Sequence, residues 1–337
     1  MNPQPSTLDS RPSISVIICT YNRCESLRRT LQTCCDLIIP EGVTWELLVL
    51  DNNSTDATKQ VCKEFAGKLP LRYIFESRQG KSHALNQSID EAKGDLLLFT
   101  DDDVDVTPEW LQVLYEAAVR RPDAAFFGGK VLPRWDIKPP RWVIDNLERF
   151  PYQVHVDRGD SEAWITDLMQ DNWPFLVGAN FACHRQALHD QFHFPSDLGP
   201  CGGDHTVSGN VRGEETVLQQ HLLKGGYKGL YVPSAIVYHR HPARRQTERY
   251  LRKYFAGWGA MEVRQLAYSP VTHPWFGAPR YLWRRLIETA CRYALTRYTR
   301  PSGIWLRHEI AMAETWGMIC EHRRQARLRK SAATSGQ

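Results

Sequence analysis

Four short apolar runs stand out along the chain: ISVIIC (residues 14 to 19), WELLVL (45 to 50), LRYIF (71 to 75) and DLLLFT (95 to 100). They are nearly continuous in branched side chains, as strands buried on both faces are. Between them, Glu25 to Leu37, Asp56 to Phe65 and Ser82 to Ala92 are helix-like, and in the last of these Ala84, Leu85, Ile89 and Ala92 share one face. Strand and helix therefore alternate, which predicts a parallel α/β sheet. Such sheets bind ligands beyond the carboxyl ends of their strands. Here those ends read CTYNR (19 to 23), DNNSTD (51 to 56), ESRQGKS (76 to 82) and TDDD (100 to 103). Thr107 can cap a following helix, with Pro108 in its first turn and Glu109 favourable to its dipole. That places the three carboxylates in a strand-to-helix loop.

AAFFGGKVL (124 to 132) predicts a further strand, and residues 133 to 172 are irregular, with several Trp and Pro. A second block opens at PFLVGANFACHRQAL (174 to 188), crosses a Gly-rich loop (198 to 215) and enters a helix at Thr216 to Lys224. Two short strands, GLYVP and AIVYH, follow and end at His239. TERYLRKYFAGWG then opens a helical region, and the sequence contains no internal repeat.

Composition narrows the class. With 337 residues and 42% hydrophobic content, the chain suits a soluble globular protein rather than a disordered one. MNPQPSTLDSRPS lacks a basic segment followed by an apolar one, and no apolar run approaches membrane-spanning length. A cytoplasmic protein is expected. The 9 cysteines are odd in number and form no CxxC pair, so they are expected to be reduced thiols. Formal charge is +4, yet residues 270 to 337 carry 12 Lys and Arg against 4 Asp and Glu. In that tail Arg284, Arg285, Arg292, Arg297, Arg323, Arg324 and Arg327 lie among Trp283, Tyr293, Tyr298, Trp305 and Trp316. Two readings fit: helices lying on an anionic membrane surface, or a packed helical hairpin with its arginines in solvent. No nucleic-acid reading motif accompanies the charge.

Asp101, Asp102 and Asp103 pose the chemical question. A turn needs one carboxylate, and three adjacent ones repel. At the end of a buried parallel strand they point to a divalent cation, since carboxylate oxygens are the hard ligands of Mg²⁺ and Mn²⁺.

SVIICTYNR, LLVLDNNSTD, GKSHALNQSIDEAKGD and LLLFTDDD, in that order, resemble the nucleotide-binding half of a family 2 glycosyltransferase with the GT-A fold. The second block, DLGP followed by RGEETVLQQHLLKGGYKGLYVPSAIVYHRHPARR, is similar to the same family, so the likeness runs to about residue 260. It implies a Rossmann-type, mostly parallel sheet flanked by helices. The implied reaction is metal-dependent, inverting transfer of a sugar from a nucleoside diphosphate sugar, by default a UDP-sugar, to a hydroxyl of a saccharide or lipid-linked acceptor. By this resemblance Thr20, Tyr21, Asn22 and Asp51 border the nucleoside, and Gly80 and Lys81 approach the nucleotide. Ordinary turn chemistry explains Asn22 and Asp51 equally simply. Asp101 and Asp103 form the DxD pair around Asp102, with Asp101 toward the ribose and Asp103 holding Mn²⁺ or Mg²⁺ on the diphosphate. His239 is offered as a further metal ligand, with His241 as its substitute. Glu214 and Glu215 stand where the family usually has Glu-Asp, and Glu215 is the expected general base with Glu214 in reserve.

Two other readings belong beside this one. DVDVT (103 to 107) fits the loop of haloacid-dehalogenase-like phosphohydrolases, in which Asp103 would be the nucleophile. A non-catalytic sugar-nucleotide binder on the same fold is the other. The expected layout is a flexible start (1 to 12), a nucleotide-binding half (13 to 130), an acceptor half (131 to 265), a basic helical extension (266 to 330) and a flexible tail (331 to 337). Stretches 133 to 172 and 198 to 213 are expected to shape the sugar and acceptor pockets.

Overall fold

The computed structural model describes residues 12–147, 155–167, 176–188, 192–196, 214–265 and 274–335. The loop 198 to 213, the first eleven residues and parts of 133 to 172 thus lie outside the described residues.

Each of the four apolar runs forms a strand: β1 (Ile14–Thr20), β2 (Trp45–Asp51), β3 (Leu71–Phe75) and β4 (Leu96–Asp101). They pair in parallel in the order β3-β2-β1-β4. Thr20 lies in register with Asp51, and Cys19 with Asp101, so the polar ends of β1, β2 and β4 finish side by side. The helices between them are α1 (Cys24–Cys34), α2 (Thr58–Phe65) and α3 (Lys81–Glu91). Each is amphipathic; α1, for example, buries Leu27, Thr30, Leu31 and Cys34, one stripe at helical spacing.

Past β4 come β5 (Val104–Val106), α4 (Trp110–Arg120), β6 (Phe126–Trp135), α5 (Arg141–Ile144), β7 (Ala163–Ile165), β8 (Phe181–His184), α6 (Glu214–Lys224) and β9 (Gly229–His241). β8 runs antiparallel to β4 and β6, while β5 and β7 run antiparallel to β9. The sheet is therefore mixed, with the parallel strands on one side of β4.

Three local expectations are corrected. The acidic triplet does not lie in a strand-to-helix loop, because β5 intervenes and is tied to β9 through Val104↔His239. Thr107 does not cap α4 with its side chain; its hydroxyl donates to the Ile236 carbonyl at 3.2 Å. GLYVP and AIVYH are one strand, since β9 loses a single N–H at Pro233 and continues.

The chain divides into two compact units, one of Met1–Arg134, Val154–Ser196 and Glu214–Arg240, the other of Trp135–Gln153, Asp197–Gly213 and His241–Gln337. The second contains α7 (Glu248–Gln265), α8 (Arg280–Thr296) and α9 (Ser302–Ser335). α7, which the sequence groups with the acceptor half, packs here against α9, as does α8. Glycine makes the α7–α9 approach close: a Cβ on Gly259 would fall 2.0 Å from the Glu314 carbonyl, and one on Gly317 1.9 Å from that of Ala256. Leu251, Trp305, Leu306 and Ile310 form one apolar cluster, and Val263, Ala278, Leu282, Met318 and Ile319 another. Internal ion pairs supplement them: Arg252–Glu309 at 2.6 Å, Arg264–Glu321 at 3.1 Å and Arg324–Glu321 at 2.7 Å. Part of the tail's basic charge is thus spent inside the helical unit, and the helix continues into the residues expected as a tail.

Candidate active site

The site grows from the ends of β1 and β4. Like charges in a row need cations, and the nearest is Arg23, whose Nη1 donates to Asp102 Oδ1 at 2.9 Å and Asp103 Oδ2 at 3.1 Å. The Asp102 carboxylate beside it holds the guanidinium well above its ordinary pKa. Asp102 Oδ2 accepts from the Thr20 hydroxyl at 2.8 Å. Both oxygens of Asp102 therefore serve the fold, and so does Thr20.

A second arginine braces the turn from behind. Buried Arg240 donates through Nη2 to the backbone carbonyls of Ser26 (2.7 Å) and Asp102 (3.1 Å) and to Thr30 Oγ1 (2.8 Å). Its Nη1 pairs with Asp105, whose other oxygen accepts from Arg134 at 2.5 Å. The Asp102 carboxylate and Asp105 are thus engaged by the fold, while Asp101 and Asp103 turn toward Lys81 and His239.

The β5–β9 register delivers the third donor. One ligand atom each from Asp101, Asp103 and His239 lies within 4.8 Å of the others, and His239 Nε2 is 3.3 Å from Asp103 Oδ1. The two carboxylates are hard oxygen ligands and the imidazole can add a nitrogen, so the donor set fits a divalent cation. His241 is not in this cluster; it stacks on Trp135 with ring centroids 4.8 Å apart.

Lys81, the first residue of α3, links this cluster to the acidic pair of α6. Its Nζ lies 3.3 Å from Asp101 Oδ1, 3.2 Å from Glu214 Oε1 and 3.3 Å from Glu215 Oε1. Burial pushes the ammonium pKa down, but the carboxylates of Asp101, Glu215 and Glu214 outweigh it and hold Lys81 charged. The two glutamates differ in exposure: the Glu214 side chain is 3% exposed and Glu215 28%. Glu214 Oε2 is buried without a hydrogen-bond partner. Burial, then Glu214, push the Glu215 carboxyl upward, with Lys81 opposing. Below Lys81 and Glu215 a pocket is walled by Ile17, Cys19, Leu85, Phe99, Phe181, Phe194 and Leu218. Burial pushes the Cys19 thiol up to about 12, which leaves it a neutral wall.

The remaining expected residues take structural partners. Asp51 accepts from Ser54 N–H at 2.9 Å and from the Tyr73 hydroxyl at 2.7 Å. Asn22, at φ 50°, accepts from Thr55 N–H at 2.7 Å and ties the β1–α1 turn to the loop after β2. Tyr21 is half-buried in that turn. Gly80 donates its N–H to Asn52 Oδ1 at 2.7 Å, so Asn52 sets the entry to α3. Reading the sequence missed Arg23, Arg240 and Asn52. Arg23 and Asn52 lay inside the polar motifs themselves, and position in those motifs was the available signal.

The model for the family described as Glycosyl transferase family 2 matches residues 15–192. The chain belongs to that family. It is 32% identical over 171 residues to validoxylamine A glucosyltransferase of Streptomyces hygroscopicus subsp. limoneus, covering 49% of this chain and 37% of that protein. It is 31% identical over 132 residues to succinoglycan biosynthesis protein ExoM of Rhizobium meliloti (strain 1021), covering 39% and 42% respectively. The chain thus matches only about two fifths of the length of these relatives. Among solved structures, a mannosyltransferase from Pyrobaculum calidifontis in complex with GDP-Man and Mn²⁺ superposes with TM-score 0.59 at 19% identity, covering 91% of this chain and 86% of that one. That likeness shows the fold. The phosphohydrolase reading of DVDVT falls with it: β5 sits in a mixed sheet, and Asp105 is locked between Arg240 and Arg134.

Proposed function

We propose that the protein transfers a sugar from a nucleoside diphosphate sugar to an acceptor hydroxyl, with inversion. The observation that carries this reading is Lys81 joining Asp101 of the DxD cluster to Glu214 and Glu215. A site for a diphosphate and a site for a base are thereby one lysine apart. Asp101, Asp103 and His239 would hold Mn²⁺ or Mg²⁺, which supplies charge neutralisation for the leaving diphosphate. Lys81 adds a fixed positive charge beside the same place. Glu215, the more exposed of the pair, takes the acceptor proton as the acceptor oxygen bonds to the anomeric carbon. The bond from that carbon to the phosphate oxygen breaks, and the nucleoside diphosphate leaves with its electron pair.

The donor base belongs to the proposal as well: a UDP-sugar remains the default, with GDP-sugars the first alternative in view of the Pyrobaculum enzyme. A saccharide or lipid-linked acceptor is the expected partner. The eight cysteines among the described residues are all free thiols, which supports a reducing, cytoplasmic location. Among the described residues no helix is long and apolar enough to cross a membrane. Peripheral contact with the inner face of the membrane, through the basic C-terminal helices, belongs to the proposal. Screening nucleotide sugars for Mn²⁺-dependent binding and for release of nucleoside diphosphate tests the reading; binding of none would overturn it.

A further inference from the structure

The helical unit carries a feature that its own packing does not use. Trp275 and Ala278 exchange both backbone hydrogen bonds, at 2.8 and 3.1 Å, closing a two-residue turn whose central residues Phe276 and Gly277 have φ of 46° and 80°. Such a turn favours Asn followed by Gly, because both central residues take a left-handed backbone. A bulky aromatic at the first central position is strained there. Nor does burial compensate it, for Phe276 is 70% exposed and Trp275 52%. Trp283 Nε1 donates to the Trp275 carbonyl at 2.8 Å and its ring meets Phe276 edge-on, so α8 braces the tip from one side.

The same side of the molecule continues along α8. Leu282 is buried in the helical core, while the opposite face presents Arg280, Arg284, Ile287 and Leu295, at helical spacing. Ile287 is 60% exposed and Leu295 74%, next to a fully displayed Arg284. Arg284 bonds Glu288 at 2.8 Å, the acidic group on this face; Arg280 and Arg292 are exposed and form no ion pair among the described residues. Apolar side chains between arginines, with an aromatic tip beside them, match the boundary between anionic headgroups and acyl chains. A polyanion such as RNA would engage the arginines and leave Ile287 and Leu295 in water.

We infer that the Trp275–Phe276 tip and the outer face of α8 form a docking surface for an anionic lipid bilayer. The surface gives the peripheral contact proposed above a specific place, and it does not depend on the transfer chemistry.

The test is sedimentation of the full chain with vesicles of neutral phosphatidylcholine, or of the same lipid with about one-third phosphatidylglycerol. The wild-type chain should sediment with the anionic vesicles alone and be released by roughly 0.5 M salt. Phe276→Asn suits the turn and should fold at least as well, yet lose several-fold in partition. Arg280→Gln and Arg292→Gln should each lower partition about fivefold. Circular dichroism and melting of each variant separate these effects from unfolding. Equal binding to both vesicles, or to neither, overturns the proposal. So does a concentration-dependent dimer abolished by Phe276→Asn, which would make the face a contact between copies, and so does RNA binding that vesicles do not compete.

Discussion

Gly178 lies so close to Glu215 that a Cβ added to it would stand 2.5 Å from Glu215 Oε1. The same oxygen lies 3.3 Å from Lys81 Nζ. A single methyl group at residue 178 should therefore swing the carboxylate off the lysine. Gly178→Ala is expected to lower turnover while leaving donor affinity nearly unchanged, measured as separate kcat and KM for the donor. An equal fall in donor affinity would mean that Glu215 serves binding instead.

The acidic pair is testable residue by residue. Glu215→Gln keeps the shape but cannot take a proton, so turnover should fall by about 10²–10⁴-fold at unchanged donor affinity. Glu214→Gln should act on folding or on the placement of Lys81, since its side chain is buried. Turnover lost in Glu214→Gln and kept in Glu215→Gln would assign the base to Glu214.

Arg240 is expected to matter through stability. Replacing one partner of a buried ion pair typically costs about 3–5 kcal/mol, because the other charge is left uncompensated. Arg240→Leu leaves buried Asp105 with exposed Arg134 as its one cation among the described residues and frees the backbone carbonyl of Asp102. Chemical denaturation should show a loss of that order, and a change below about 1 kcal/mol would show that water or Arg134 replaces it.

Helix α9 should respond to pH in two opposite ways. Burial raises the Glu314 carboxyl from 4.5 to about 7, against the pull of Arg285. A raised acid favours the folded state fully below its unfolded value, and that contribution is lost as pH climbs from about 4.5 through 7. Burial also pushes Glu321 up, but Arg324 and Arg264 outweigh it and hold it at about 2. Its contribution is present above about 4.5 and is lost as pH falls toward 2. Melting midpoints across pH should show Glu314→Gln flattening the neutral limb and Glu321→Gln the acid limb. Identical profiles in all three proteins would refute both assignments.

The parallel strands were legible because residues buried on both faces leave nearly unbroken apolar runs. The motifs also single out Asp101, Asp103, His239, Lys81, Glu214 and Glu215, and the fold brings these side chains together. β5 was not, because three residues of which one is Asp105 carry no pattern. Arg23 and Arg240 resemble surface charges until the turn folds around them. Asp102, expected beside the nucleotide, is held by the Thr20 hydroxyl and by Arg23, partners that its motif did not announce. No residue type in the motifs encodes the sugar, and the loop 198 to 213 expected to choose it lies outside the described residues.

We propose that Asp101, Asp103 and His239 make diphosphate release metal-dependent. It is tested most directly by following nucleoside diphosphate release from a bound donor with chelator, with Mn²⁺ or Mg²⁺ restored, and in Asp103→Asn. Release should be lost with chelator, recover on adding either ion, and recover little in Asp103→Asn despite an unchanged fold by circular dichroism. Full turnover in excess chelator would contradict it, and so would donor binding that never yields product.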